Sequence, residues 1–143
     1  MKKLALLVVV ILFLAGCIGA LNPYTKDMLI VAEEKTVGIG DVFFDHEYGI
    51  ESEKADPFIG RIKMGSLKFE LTVLELTNEK IGLQYNEFSY NPGSGYILAG
   101  WFIKQGFTKR FDYVLADKVI RFKDYEFEII GVEKGQIKYK RIK

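Results

Sequence analysis

The feature that most constrains this chain is a strict two-residue alternation. Over residues 67–73, Leu67, Phe69, Leu71 and Val73 share one face, and Lys68, Glu70 and Thr72 share the other. After Thr77-Asn78-Glu79-Lys80, Ile81, Leu83 and Tyr85 alternate with Gly82, Gln84 and Asn86. Side chains of a strand point to opposite faces in turn, so this pattern fits a sheet with one dry and one wet side and fits no helix. Two such runs around a short polar turn predict a β-hairpin.

The C-terminal third follows the same rule. Phe107, Phe111, Tyr113 and Leu115 read as one face, with Thr108, Arg110 and Asp112 opposite. A turn at Ala116-Asp117-Lys118 precedes a strand over 119–122. Tyr125, Phe127 and Ile129 then alternate with Glu126 and Glu128, and Glu133-Lys134-Gly135 turns the chain into a last strand over 136–142. Composition agrees: from residue 28 onward Val, Ile, Thr, Phe, Tyr and Trp make up 42 of 116 residues, while Ala occurs four times. Such a balance favours strands over helices.

The region before residue 60 is less regular. Residues 28–32 form an apolar run that suits either a buried strand or the first turns of a helix. Residues 42–45 read as a strand and 48–56 as a polar loop. The expectation is an all-β domain over 28–143, with eight or nine short antiparallel strands arranged as a small barrel or a two-layer sandwich.

The first twenty residues have a different character. Lys2 and Lys3 precede eleven uninterrupted apolar residues, 4–14, which end in Ala15-Gly16-Cys17. Eleven helical residues cover about 16 Å, roughly half a bilayer core, so a signal helix fits better than a membrane span. Leu14-Ala15-Gly16-Cys17 resembles the lipobox of prokaryotic lipoproteins, and the Ala-Gly-Cys-Ile-Gly run is similar to lipoproteins of archaea. The resemblance implies a signal peptide over 1–16 and diacylglycerol on Cys17. Because Gly19, Asn22 and Pro23 discourage regular structure, residues 17–27 read as a short lipidated tether. It places the mature chain on the extracytoplasmic face of the cell membrane, or on an outer membrane. Two acyl chains are enough for stable anchoring. With its only cysteine acylated, the mature chain would have no thiol for catalysis, disulfides or metal binding.

The mature 127 residues carry 18 basic and 19 acidic side chains, which does not suit a dedicated nucleic-acid binder. The acids concentrate over 33–56 (Glu33, Glu34, Asp41, Asp45, Glu47, Glu51, Glu53, Asp56), a stretch that matches no calcium-loop spacing. The last ten residues hold Lys134, Lys138, Lys140, Arg141 and Lys143 and no acid. Those cations suit pairing with the acidic region, protection of an edge strand, or contact with anionic headgroups.

His46 is the only histidine, flanked by Asp45 and Glu47. These three would have to supply any metal site or general base, yet alternation puts both acids on the face opposite the imidazole. No metal, cofactor or catalytic set is therefore expected. Tyr90, Tyr96 and Trp101 flank the glycine-bearing loop 91–95 and are the candidates for ligand contact, since aromatic side chains beside loops are frequent binding anchors. The leading expectation is a binding or scaffolding domain, for an unidentified protein or small molecule. The alternatives are an envelope hydrolase or metal-dependent enzyme using His46 and the segment 33–56, and an accessory subunit of a membrane-associated assembly that offers a strand edge.

Overall fold

A computed structural model describes residues 20–52, 61–93 and 98–143. The leader 1–16 with its lipobox (Leu14, Ala15, Gly16, Cys17), the acids Glu53 and Asp56, and Tyr96 lie outside the described residues. Ten strands follow one another: β1 (Leu21–Asp27), β2 (Glu34–Gly38), β3 (Val42–Ser52), β4 (Lys63–Leu76), β5 (Lys80–Asn91), β6 (Gly100–Ile103), β7 (Lys109–Val114), β8 (Val119–Phe122), β9 (Tyr125–Glu133) and β10 (Gln136–Arg141). The one helical element among the described residues is a 3-10 turn at Leu115–Asp117.

The predicted hairpin forms. Leu71 faces Tyr85 and Val73 faces Leu83 across β4 and β5. The turn closes with the Thr77 amide donating to the Lys80 carbonyl at 2.9 Å, while the Lys80 amide donates to the Thr77 hydroxyl at 3.1 Å. From this hairpin a six-stranded antiparallel sheet extends as β1-β3-β4-β5-β6, with β7 also on β5. Residues Lys80 to Tyr85 of β5 pair with β7, and Phe88 to Asn91 pair with β6. A second sheet of four strands, ordered β2-β10-β9-β8, lies across the first. The two sheets do not close on each other, so the expected all-β fold is a two-layer sandwich and not a barrel.

The inner faces meet in one aromatic core. Phe43, Phe44, Leu71 and Leu83 of the larger sheet and Phe127, Ile137 and Tyr139 of the smaller are fully buried. Each contributes roughly 1.5–3 kcal/mol through burial. Phe43 and Phe44 are neighbours in sequence, and a regular strand would expose one of them. A bulge admits both: Val42 pairs with Thr72 and Phe44 with Leu71, leaving Phe43 as an extra residue. Its ring stacks on Tyr139 at 4.0 Å and 13° and meets Phe127 edge-on at 5.1 Å. The Tyr139 hydroxyl donates to the Phe43 carbonyl, so the bulge's backbone oxygen is paired inside the core.

Several expectations need correction. Asn22 and Pro23 argue for a tether that runs to residue 27, but residues 21–27 form β1. Pro23 is tolerated because β1 is an edge strand, where a missing amide need cost no ladder bond. Residues 28–32 are neither strand nor helix. They lead from β1 toward β2 in the other sheet, and of the run only Leu29 is fully buried. Residues 48–52, read as loop, continue β3. Phe107 falls outside β7 and is exposed. Residues 28–143 hold nine strands among the described residues, within the expected eight or nine, and β1 is the tenth.

The larger sheet is longer than the smaller one covers. Asp27, His46, Phe69 and Glu87 form one inward row across β1, β3, β4 and β5. Phe122 and Tyr125, at the tip of the β8–β9 hairpin, pack on Phe69 in this row. The next inward row (Thr25, Tyr48, Leu67, Ser89, Phe102) lies past that tip. The sandwich thus has a seam and, among the described residues, a single-layer shelf beyond it. Among the described residues, no helix is long and apolar enough to cross a membrane.

Candidate functional site

The seam collects the first group of polar side chains. Asp27 ends β1 opposite His46 of β3, Tyr125 begins β9 and Arg141 ends β10. His46 Nδ1 lies 2.5 Å from Asp27 Oδ1 and 2.7 Å from the Tyr125 hydroxyl. Arg141 donates to Asp27 Oδ2 at 2.5 Å and to the Leu29 carbonyl at 2.9 Å, and its guanidinium lies 4.8 Å from the Tyr125 ring centre. One ring nitrogen cannot donate to a carboxylate and accept from a phenol at once. A bare lone pair that close to a carboxylate oxygen would be repelled. The consistent assignment therefore has Nδ1–H donating to Asp27, with the Tyr125 hydroxyl turned to the same carboxylate at 3.3 Å.

Charges in the seam agree with this arrangement. Burial alone would raise the Asp27 carboxyl. The hydrogen bonds from His46 and Arg141 and the Arg141 charge outweigh it and hold Asp27 below the usual carboxylate range. The Tyr125 phenol is pushed up to about 12 by burial and by the Asp27 charge, so it remains a donor. An imidazole oriented by a carboxylate is half of a general-base arrangement. The other half would be a nucleophile, and among the described residues no Ser or Thr hydroxyl is hydrogen-bonded to His46. The cluster holds the chain between β1 and β2 in place, since the Ala32 amide also donates to the Arg141 carbonyl at 2.7 Å.

Asp45 and Glu47 lie on the outer face, as alternation requires, and do not converge with His46. Glu47 accepts from Lys63 and from the Tyr24 hydroxyl, the latter at 2.6 Å. Burial opposes ionisation of Glu47, but these two bonds hold its carboxyl low. The other acids of the 33–56 stretch are dispersed: Glu34 pairs with Lys138 at 2.6 Å, Asp41 accepts from the Gly38 amide, and Glu51 pairs with Arg61 at 2.6 Å. Among the described residues, no three of His, Cys, Asp and Glu are grouped so that they could hold a metal ion. The C-terminal cations meet acids within the fold, Lys138 at Glu34, Lys140 at Glu128 and Arg141 at Asp27. They guard no edge, because β10 runs between β2 and β9.

The ligand-contact candidates Tyr90 and Trp101 do come together. They face each other across β5 and β6, with ring centres 5.3 Å apart and edge to face. Their neighbourhood is already occupied by the chain's own cation. The Lys63 ammonium lies 5.4 Å from the Trp101 ring centre, 5.8 Å from Tyr90 and 5.5 Å from Tyr24, and is tied to Glu47. This cluster fastens β1, β3, β4, β5 and β6 on the outer face.

A recess opens between the free edges of the two sheets, where β7 and β8 diverge. Its volume is about 510 Å³, within the ordinary range for small-molecule sites. Tyr85, Phe111 and Phe122 wall it, with Phe111 and Phe122 edge to face at 5.4 Å. The Tyr113 hydroxyl donates to the Arg121 carbonyl at 2.9 Å and bridges the two edges. Lys109, Arg121 and Lys123 stand around it. The Lys123 ammonium donates to the Tyr85 hydroxyl at 2.9 Å and lies 4.1 Å from the Phe69 ring centre, and burial lowers its proton affinity. Glu87, the acid beside them, is matched by Lys104 at 3.0 Å and by the Tyr85 hydroxyl. The recess therefore combines apolar walls with an excess of positive charge.

Neither this recess nor the seam is visible in the local sequence pattern. Tyr85 and Phe111 read only as core positions, Phe122 only as the end of a strand, and Asp27 falls in the expected tether. The available signal was Lys123: a cation at a strand junction, between two aromatic residues of opposing parity. No family model, no curated protein and no solved structure matches this chain.

Proposed function

We propose that the mature chain is a lipid-anchored extracytoplasmic binding domain. In this reading Cys17 carries the lipid, and the β7–β8 recess takes a small ligand with an apolar body and an anionic group. The observation that carries it is the recess: aromatic walls supply contact area, and Lys109 and Lys123 face a Glu87 that is already paired, with Arg121, 3.8 Å from Glu126, at the rim. Aromatic walls with a few convergent polar groups are the usual make-up of a ligand site. The lipobox sequence supports the address. The Asp27–His46–Tyr125–Arg141 cluster is read as a positioning network for the sandwich seam and not as a catalytic set.

Titration of the full chain in mild detergent with 2-naphthoate, an aryl carboxylate of suitable size, tests the recess. Binding should weaken with added salt and fall at least tenfold in Lys123→Ala and in Arg121→Ala, with Lys138→Ala as an unaffected control. Equal affinity in all four proteins would remove the recess as the site. For the address, a Cys17→Ser chain should lose acylation and processing. Normal maturation of that variant on the membrane would end the lipoprotein reading.

A further inference from the structure

The shelf beyond the seam presents apolar side chains on the inner face of the larger sheet, where no second layer covers them among the described residues. Tyr48 (42% exposed), Ile50 (45%), Met64 (47%) and Phe102 (49%) lie there together with Leu21 (44%). Registry puts them on one surface: Leu21 pairs with Ser52, Ile50 with Met64, Tyr48 with Leu67, and Leu67 with Ser89, which in turn faces Phe102. Scattered apolar residues are ordinary on a protein surface, but a contiguous patch on one face marks an interaction site.

We infer that this shelf rests on the lipid surface to which the chain is anchored. The occupant follows from where the chain enters. Strand β1 begins at Leu21, on the shelf, and Cys17 lies four residues earlier. Four fully extended residues reach at most about 14 Å. If Cys17 is acylated, as proposed above, the Leu21 end of the shelf is held within that distance of the acyl chains and has no long linker to swing away on. A polar belt borders the shelf at the seam: Asp27 with His46 and Arg141, Glu87 with Lys104, and Lys123. An apolar face edged by charged and aromatic groups matches the layering of a bilayer interface, with acyl carbon below and headgroups above.

This inference rests on the lipid-anchor reading, and the test separates the two. Cys17 is the only cysteine, so an acylated chain accepts a thiol-reactive dye solely at an introduced cysteine. The full acylated chain is reconstituted in phosphatidylcholine–phosphatidylglycerol vesicles. Met64→Cys or Phe102→Cys is labelled with an environment-sensitive nitrobenzoxadiazole dye, with Ile130→Cys on β9, away from the shelf, as reference. Lipids carrying a quencher on the acyl chain should quench the two shelf probes at least threefold more than the reference. Using two shelf positions guards against one variant failing to fold, which circular dichroism shows. Equal quenching at shelf and reference with Cys17 acylated would overturn the docking and leave the anchor intact. A parent chain that takes up dye at Cys17 lacks the anchor, and both readings then fall. Shelf probes shielded from lipid in a cross-linked dimer would assign the face to a second copy and overturn the inference.

Discussion

Replacing Asp27 with Asn tests whether the seam is a charge-dependent clasp. The substitution preserves size and removes one charge. In the parent, Asp27 is 24% exposed and receives hydrogen bonds from His46 and Arg141, which are 16% and 14% exposed. Hydrogen bonds to a charged group contribute about 1.5–3 kcal/mol each. Asn can still accept one of them, and residual solvent screens all three groups. The expected net loss is therefore about 2–3 kcal/mol at neutral pH, or a fall in Tm of roughly 6–12 °C for a domain of this size. The pH dependence has a definite sign. Because the folded environment holds the Asp27 carboxyl below its usual range, its contribution is complete above the unfolded value near about 4. It is lost as pH falls through the lower folded value. The stability gap between parent and variant should be largest at pH 7 and close toward pH 2–3. Urea unfolding of the full chain in mild detergent, followed by Trp101 fluorescence at both pH values, measures it. A gap below about 0.5 kcal/mol at pH 7, or an undiminished gap in acid, would refute the argument.

Tyr139→Phe should cost about 1–2 kcal/mol in the same unfolding assay, because it leaves the Phe43 carbonyl of the bulge unpaired in the core. Gly49→Ala should destabilise by about 3 kcal/mol or more, since the added Cβ would meet Ser66 Oγ and approach the Ser66 Cα to 2.6 Å. The expected signature is an earlier urea midpoint with an unchanged far-ultraviolet spectrum. Lys138→Ala removes an exposed partner of Glu34 and should leave Tm unmoved, as for most isolated surface pairs.

Where the chain alternates cleanly, the fold was readable. Phe69, Leu71, Val73, Ile81, Leu83, Tyr85, Phe127 and Ile129 are buried on the faces that period-two reading assigns, and Leu67 and Tyr125 share those faces half-buried. The turn at Lys134-Gly135 carries the positive φ values, 51° and 76°, of a primed hairpin turn. Alternation also separated His46 from Asp45 and Glu47 correctly. What it could not convey was phase or partner. Phe43-Phe44 gives no local sign of which residue is the extra one, because the bulge is decided by Tyr139 and Phe127 in the other sheet. Pro23 argued against a strand that its edge position permits. The seam joins positions 27, 46, 125 and 141, and no local pattern links residues so far apart. The recess arises where two sheet edges part, which is a property of layer packing and not of any segment.

The bulge at Phe43 has one further consequence, for the strand's tolerance of length change. The ladder resumes at Phe44–Leu71, so the inward or outward sense of every later β3 residue is counted from Phe44. Removing Phe43 would empty a core position yet leave His46 facing Asp27 and Glu47 facing Lys63. Adding one residue between Phe44 and His46 would fill no space, but it would turn His46 outward and bring the neighbouring carboxylates beneath the sheet. Volume and reading frame are thus governed at adjacent positions by different residues. A deletion there should damage the core while sparing the seam, whereas an insertion two residues later should break the seam and cost stability as well, because it turns carboxylates inward.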